Sequence, residues 1–212
     1  RGSVPFLGTT IYLDSHPLIP RVETEFWAEQ AILNIKNTII YDSVPLKVLD
    51  LFAGSGAIGV AVLKHLPRAH VTFGEFEERH LATIEKNVRE NGIDPSRAHI
   101  MHTDVWSGLQ GTFDYVLANP PYVSRERNTA EASTAIEPDV ALYAPDDGFF
   151  YIEKFIDGLS THLAPTGVAY VEHEPYHAER ISEIATRLGF VSNNQRDQYG
   201  EPRITRLTRG EH

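Results

Sequence analysis

The sequence of 212 residues contains no cysteine, only one methionine and only two tryptophans. Without cysteine the chain has no disulfide, no thiolate-ligated zinc and no cysteine nucleophile. No apolar run approaches the ~18 residues that a membrane-spanning helix needs, and no signal-peptide core opens the sequence. These absences argue against disulfide-stapled, thiolate-metal and membrane proteins, and we expect a protein of the cytoplasm that acts without a membrane.

Basic side chains are also scarce, because 19 Lys and Arg face 29 Asp and Glu and give a formal net charge of −10. An acidic surface repels a phosphate backbone, which counts against nucleic acid as a partner. The ten histidines show no metal-ligand spacing and no H-E-x-x-H motif, so no metal site is predicted. We expect His173 and His177 to lie on the surface, and the protein to be a monomer.

What the sequence does contain is an alternation of strand and helix patterns from Lys47 onward, in a length that suits one α/β domain. Such an alternation predicts a mainly parallel sheet with helices on both faces. The chain would close with an antiparallel hairpin around residues 199–202. The predicted strands are 47–52, 70–76, 99–102, 113–118 and 167–171, the predicted helices include 26–35, 57–66 and 149–163, and the hairpin strands are 190–197 and 203–208.

The first candidate site motif is the turn Phe52-Ala53-Gly54-Ser55-Gly56, which lies between a predicted strand and a predicted helix. Glycines at this position let the backbone approach a ligand closely. Glu75 ends the next strand, about twenty residues later, where a carboxylate accepts hydrogen bonds from both hydroxyls of a ribose. The turn and the acid together predict a nucleoside cofactor.

Three further residues extend this cofactor site. Asp104 follows the third strand and is placed to accept a hydrogen bond from an exocyclic amine such as that of adenine. Phe76 and Val105 are the side chains that would sandwich the base. This set does not by itself separate NAD from S-adenosylmethionine.

The second motif, Ala118-Asn119-Pro120-Pro121-Tyr122, separates the two cofactors. Two consecutive prolines make a rigid, non-helical strand exit that holds the Asn119 amide. The side-chain carbonyl of Asn119 and the backbone carbonyl of Pro120 would each accept one N–H of a planar NH2 group, while Tyr122 packs against its plane. Such acceptors stabilise the positive charge that develops on a nitrogen during methyl transfer, so S-adenosylmethionine is the cofactor that fits.

At these residues the sequence resembles the class I S-adenosylmethionine-dependent methyltransferases that modify amino nitrogens. More narrowly, it is similar to the HemK-type protein-(glutamine-N5) methyltransferases of peptide chain release factors. Three further segments carry this narrower resemblance, which extends over residues 5 to 208. They are Leu18 to Glu25, Ile136 to Leu142 with Asp147-Gly148, and Tyr170 to Glu174 with Asp197 to Arg203.

The resemblance implies a Rossmann-like fold with a seven-stranded sheet, S-adenosylmethionine as cofactor, S-adenosylhomocysteine as product and a release factor as substrate partner. Its cofactor residues fall on Phe52 to Gly56, Glu75, Val105 and Asn119, and its substrate site on Asn119 to Tyr122. The family commonly has another glycine where Phe52 or Ala53 stands here. It usually also carries an N-terminal helical domain, which this sequence does not include.

We therefore expect an N-terminal extension over residues 1–45, with a strand hairpin and a helix packed on the core, and a methyltransferase domain over residues 46–212. Arg21, Glu23 and Glu25, placed ahead of the helix 26–35, are either ordinary first-turn charges or part of a lid over the methionine end of the cofactor. The polar residues 123 to 146 are too long for an ordinary connection and are predicted to bind substrate.

Three functions remain open at this point. The first is methylation of a protein glutamine, in particular that of a release factor's Gly-Gly-Gln loop. The second is adenine-N6 methylation of DNA or RNA, because the Asn119–Tyr122 pocket suits either planar amine. The third is a cofactor-binding subunit without turnover of its own.

Overall fold

The computed structural model describes residues 2–38, 44–128 and 137–211. It begins with an antiparallel hairpin of β1 (Ser3–Phe6) and β2 (Thr9–Tyr12), followed by helix α1 (Val22–Thr38). The division at residues 45 and 46 stays a prediction, and residues 39–43 just before it lie outside the described residues. So do residues 129–136, which include Ile136 and the middle of the predicted 123–146 segment.

Helix α1 begins at Val22, so the predicted start at Phe26 is wrong. The prediction followed the apolar stripe, which starts at Phe26, whereas Glu23 and Glu25 extend the helix by a turn in which acids are stabilised by the helix dipole. The Oε1 atom of Glu25 also accepts the backbone N–H of Leu7 at 2.9 Å. Helix α1 is therefore tied to the N-terminal hairpin.

The central sheet has seven strands, joined by four parallel and two antiparallel pairings, which confirms the predicted fold class. In spatial order they are β5 (Ala98–His102), β4 (Ala69–Glu75), β3 (Leu46–Leu51), β6 (Phe113–Ala118), β7 (Leu163–Glu172), β9 (Ile204–Arg209) and β8 (Phe190–Gln195). The strand order reverses between β3 and β6. In open α/β sheets this is where ligands bind, beyond the carboxyl ends of the strands.

Helices cover both faces of the sheet, so the central strands consist of apolar residues. One face packs against α1, α2 (Ala57–His65) and α3 (Glu78–Glu90), and the other against α5 (Phe150–His162) and α6 (Ala178–Arg187). The short helix α4 (Asp139–Leu142) lies in the connection that leads from β6 to α5.

The predicted surface position of His173 and His177 is also wrong. His173 and His177 are 0% and 3% exposed, whereas a surface position was expected. The start of β9 covers the segment that follows β7. His173 donates its backbone N–H to Arg203 O at 2.9 Å, and its ring bonds to Thr205 Oγ1 at 2.7 Å. Burial lowers the pKa of His173 to about 4.

Candidate active site

A pocket opens at the carboxyl ends of β3 to β6, the edge of the sheet where open α/β folds bind ligands. Its walls come from both predicted motifs and from the segments around residues 18 and 140. It is lined by Leu18, Leu51, Phe52, Gly54, Gly74, Glu75, Phe76, Glu77, His80, Thr103, Asp104, Val105, Asn119, Pro121, Pro138, Val140, Ala141 and Tyr151.

The turn after β3 presents two of its five predicted cofactor residues to this pocket, Phe52 and Gly54. Gly54 has φ 56° and nothing within 4 Å of where a Cβ would stand, so its backbone faces open space. Ala53, Ser55 and Gly56 are buried behind the turn. They build its shape, since Ala53 donates its N–H to Gly74 O at 3.0 Å and Ser55 O accepts from Asn87 Nδ2 at 2.8 Å.

Phe52 has a left-handed φ of 61°. Non-glycine residues adopt this conformation rarely and at a cost. The Phe52 ring packs edge-on against Tyr151, with 6.1 Å between the ring centres. The backbone therefore keeps the shape that a glycine would give, and the ring adds an aromatic wall to the pocket.

Glu75 faces the turn from the end of β4 and is 6% exposed. Its Oε2 accepts the N–H of Gly54 at 2.6 Å and its Oε1 accepts the N–H of Glu77 at 2.8 Å. Burial raises the pKa of this carboxyl, against the lowering effect of backbone donors that include Glu77 and Gly54. Each oxygen keeps one further lone pair, so the carboxylate is able to accept the two hydroxyls of a ribose.

Asp50 supports the same turn from below and was not singled out as a site residue. It is 1% exposed, and its Oδ2 accepts the N–H of Gly59 in α2 at 2.8 Å. Burial raises the pKa of Asp50 well above its usual value. The sequence signal for Asp50 was an acidic residue inside the largely apolar strand 46–51.

The predicted base-binding residues lie together on one wall. Val105 is buried with φ 51°, Phe76 is 53% exposed, and the side chain of Asp104 is exposed. His80 of α3 joins them, although sequence analysis did not select it. Its Nδ1 lies 2.7 Å from Ser15 Oγ, and burial lowers its pKa to about 4, so the ring is neutral near pH 7.

On the opposite wall, Asn119 and Pro121 line the pocket, whereas Pro120 and Tyr122 do not. Pro120 is buried, and the Tyr122 hydroxyl donates to Glu172 Oε1 at 2.6 Å. Tyr122 is thus held from behind, next to the pocket wall. Burial and the nearby Glu172 raise the pKa of Tyr122 well above its usual value.

Glu172, at the end of β7, is the second buried carboxylate that sequence analysis did not assign. It is 1% exposed and its Oε2 accepts from Thr24 Oγ1 and from Trp27 Nε1, both at 2.6 Å. Thr24 in turn accepts from Asn119 Nδ2 at 3.5 Å. An acid in the apolar segment 168–172 was its only sequence signal.

The remaining side of the pocket is formed by two segments that precede helices. Arg21 and Glu137 form an ion pair there, and Glu137 Oε1 also accepts the N–H of Ile19 at 3.2 Å. Leu18 and Pro138, next to this pair, line the pocket. The contact joins the segment before α1 to the segment before α4, a pairing that the sequence did not predict.

No group of three or more His, Asp or Glu side chains in residues 2–38, 44–128 and 137–211 is arranged to hold a metal ion. None of the helices formed by these residues has the length and apolar character needed to cross a membrane.

Comparison with known proteins places this pocket among methyltransferases. The methyltransferase small domain family matches residues 37–143. A release factor glutamine methyltransferase of Flavobacterium psychrophilum is 30% identical over 97% of the chain and 73% of that protein. A ribosomal protein uL3 glutamine methyltransferase of Neisseria gonorrhoeae is also 30% identical, over 76% of the chain and 53% of that protein.

A solved structure gives the same fold. The Thermus thermophilus 16S rRNA N2 G1207 methyltransferase, in complex with S-adenosylmethionine and guanosine, has a TM-score of 0.62 at 20% identity, over 99% of the chain and 50% of that protein. The release factor methyltransferases compared are longer than the chain, which spans between 63% and 74% of their length.

Proposed function

The chain belongs to the release factor glutamine methyltransferase family, and from this we propose that it transfers a methyl group from S-adenosylmethionine to the side-chain amide nitrogen of a protein glutamine. The observation that carries the proposal is that Asn119 lines the same pocket as Glu75 and Gly54. An acceptor for an NH2 group therefore faces a site suited to a nucleoside.

The pocket residues fit the cofactor on structural grounds. The open side of Gly54 admits a ligand close to the backbone, and Glu75 has free lone pairs for two ribose hydroxyls. Phe76, Val105 and Asp104 supply apolar surface and an acceptor for the base. When bound, S-adenosylmethionine supplies an electrophilic methyl group on a sulfonium sulfur, which keeps the bonding electrons and leaves as S-adenosylhomocysteine.

Residues of the chain bind and activate the acceptor, the amide nitrogen of the glutamine. An amide nitrogen is a poor nucleophile because its lone pair is delocalised into the carbonyl group. The Oδ1 atom of Asn119 and the carbonyl of Pro120 accept its two N–H groups, and they stabilise the positive charge that appears as the new C–N bond forms. The extra proton then passes to water, so no strong base is needed. Tyr122 borders this acceptor site.

We propose the glutamine of a release factor's Gly-Gly-Gln loop as the acceptor, as in the relatives of that name. The net charge of −10 favours encounter with a basic loop of this kind. The proposal also has the protein act as a monomer in the cytoplasm, where release factors work. Ribosomal protein uL3 is a second protein acceptor, suggested by the Neisseria relative.

Mass spectrometry after incubation with S-adenosylmethionine tests this function. The substrates are a release factor, uL3, bulk tRNA and duplex DNA, offered separately. We expect one added methyl group on the Gly-Gly-Gln glutamine, and none on a release factor whose glutamine is replaced by asparagine. Methylated adenine would instead support the nucleic acid alternative, and cofactor binding without turnover on any substrate would support a binding subunit.

A further inference from the structure

Four buried or half-buried polar side chains form a chain of hydrogen bonds behind the proposed acceptor site. It runs from Asn119 Nδ2 to Thr24 Oγ1 (3.5 Å), from Thr24 Oγ1 to Glu172 Oε2 (2.6 Å), and ends with Tyr122 OH on Glu172 Oε1 (2.6 Å). Thr24 and Glu172 both lie outside the residues that the family match covers. Residues from opposite ends of the chain therefore meet behind Asn119.

The hydrogen atoms in this chain have fixed directions. The indole N–H of Trp27 only donates, and it shares Glu172 Oε2 with Thr24. Burial raises the pKa of Glu172, whereas the three hydrogen bonds donated to it lower that pKa and favour the ionised form. An ionised carboxylate only accepts, so the single hydroxyl hydrogen of Thr24 points to Glu172. Thr24 Oγ1 therefore offers Asn119 a lone pair, so it acts as a hydrogen-bond acceptor toward Asn119.

A lone pair on Thr24 Oγ1 determines which end of the Asn119 amide faces it. Only the NH2 end donates a hydrogen bond, so Oδ1 is turned to the other side of the amide group. The opposite orientation would bring Oδ1 against the Thr24 lone pairs and would present an NH2 group to the NH2 group of the substrate. Two donors cannot bond to each other, so that orientation is unproductive.

We propose that Thr24 is a positioning residue, whose hydroxyl is oriented by Glu172 and holds the Asn119 amide with Oδ1 available to the acceptor nitrogen. This proposal rests on the proposed function, and it adds a residue of helix α1 to the acceptor site. The 3.5 Å separation is long, as catalytic hydrogen bonds often are before substrate binds.

Thr24→Val tests the proposal, because valine has nearly the same shape and lacks the hydroxyl. We expect kcat to fall roughly tenfold, the effect of losing one neutral hydrogen bond that orients a reacting group. The dissociation constant of S-adenosylmethionine and the KM of a Gly-Gly-Gln peptide should change less than about twofold. Thr24→Ser keeps the hydroxyl and should restore most of kcat.

Thr9→Val is the matched control. Thr9 is 4% exposed and Thr24 is 3% exposed, and among the described residues the Thr9 hydroxyl bonds only to Phe6 O in the N-terminal hairpin. If Thr9→Val lowers kcat as much as Thr24→Val, or if Thr24→Ser is as slow as Thr24→Val, the effect is one of stability and the proposal is wrong. Unchanged kcat in Thr24→Val also overturns it.

A second readout does not depend on turnover. The side-chain NH2 resonances of Asn119, assigned by their loss in Asn119→Asp, should exchange slowly with solvent in the wild type and faster in Thr24→Val, but not in Thr9→Val. Equal exchange in all three proteins contradicts the positioning role. Slow exchange in a wild type that methylates no glutamine would refute the proposed function alone.

Discussion

The two walls of the pocket are held by different kinds of contact. On the cofactor side, carboxylates accept backbone N–H groups of consecutive elements, Glu75 from Gly54, 21 positions away, and Asp50 from Gly59, 9 positions away. On the acceptor side, side chains bond to side chains across the chain, as Thr24 and Trp27 do with Glu172. The first wall depends on backbone shape, and the second depends on the identity of each side chain.

This difference predicts that the two functions of the pocket are separable. A change on the acceptor side should affect turnover while cofactor binding persists, and a change on the cofactor side should do the reverse. Four substitutions test this, in order of decreasing effect.

Asn119→Ala should have the largest effect. It removes the side-chain acceptor that stabilises the developing positive charge, so kcat should fall at least ~10²-fold. The dissociation constant of S-adenosylmethionine, measured by calorimetry, should stay within about tenfold, because the Glu75 side of the pocket is unchanged. Near-normal turnover would refute the role of Asn119.

Glu75→Ala should give the opposite result. It removes a charged acceptor from the N–H groups of Gly54 and Glu77 and from the proposed ribose, so cofactor affinity should fall about 10- to 100-fold. At saturating cofactor, kcat should recover to within about threefold of the wild type. Glu85→Ala, which removes an exposed acid from helix α3, the helix that follows β4, is the control and should leave affinity unchanged.

Gly148→Ala tests whether backbone shape also matters on the acceptor side. Gly148 has φ 81°, and a Cβ there would stand 2.0 Å from the backbone oxygen of Tyr122. We expect a loss of about 2 kcal/mol in the free energy of unfolding, together with a lower kcat. Gly92→Ala is the control, because Gly92 has φ 68° and nothing within 4 Å of where a Cβ would stand. A similar loss of stability in Gly92→Ala would mean that the positive φ alone, and not the contact with Tyr122, causes the effect.

Asp50→Asn should have the smallest effect, and one that depends on pH. Because burial raises the pKa of Asp50 above 3.8, its protonated form stabilises the fold below that pH, and this stabilisation is lost as pH rises through the folded-state pKa. Asparagine still accepts from Gly59 and carries no charge. The variant should therefore gain stability relative to the wild type as pH rises, by less than about 2 kcal/mol in urea unfolding. A relative gain on acidification would contradict this.

The same contrast explains how much of the molecule the sequence could predict. The strand–helix alternation, the glycine turn, Glu75 and the Asn119–Tyr122 exit each have a local pattern, and residues of the last three line one pocket. Whether these residues act as proposed stays a prediction. Thr24 and Glu172 are 148 positions apart, and no periodicity or motif signals that they meet. The surface prediction for His173 and His177 failed for the same reason, since distant segments bury them.

The pairing of β6 with β7 has a consequence for how such a protein changes its acceptor during evolution. Ala118 lies opposite Val171, so Asn119 and Glu172 follow side by side, one residue further along neighbouring strands. A one-residue insertion in either strand would shift one against the other and break the bond between Tyr122 and Glu172. Insertions after Val123 leave this alignment intact. We therefore expect a change of acceptor to arise in the surrounding loops, with residues Asn119 to Tyr122 kept in place.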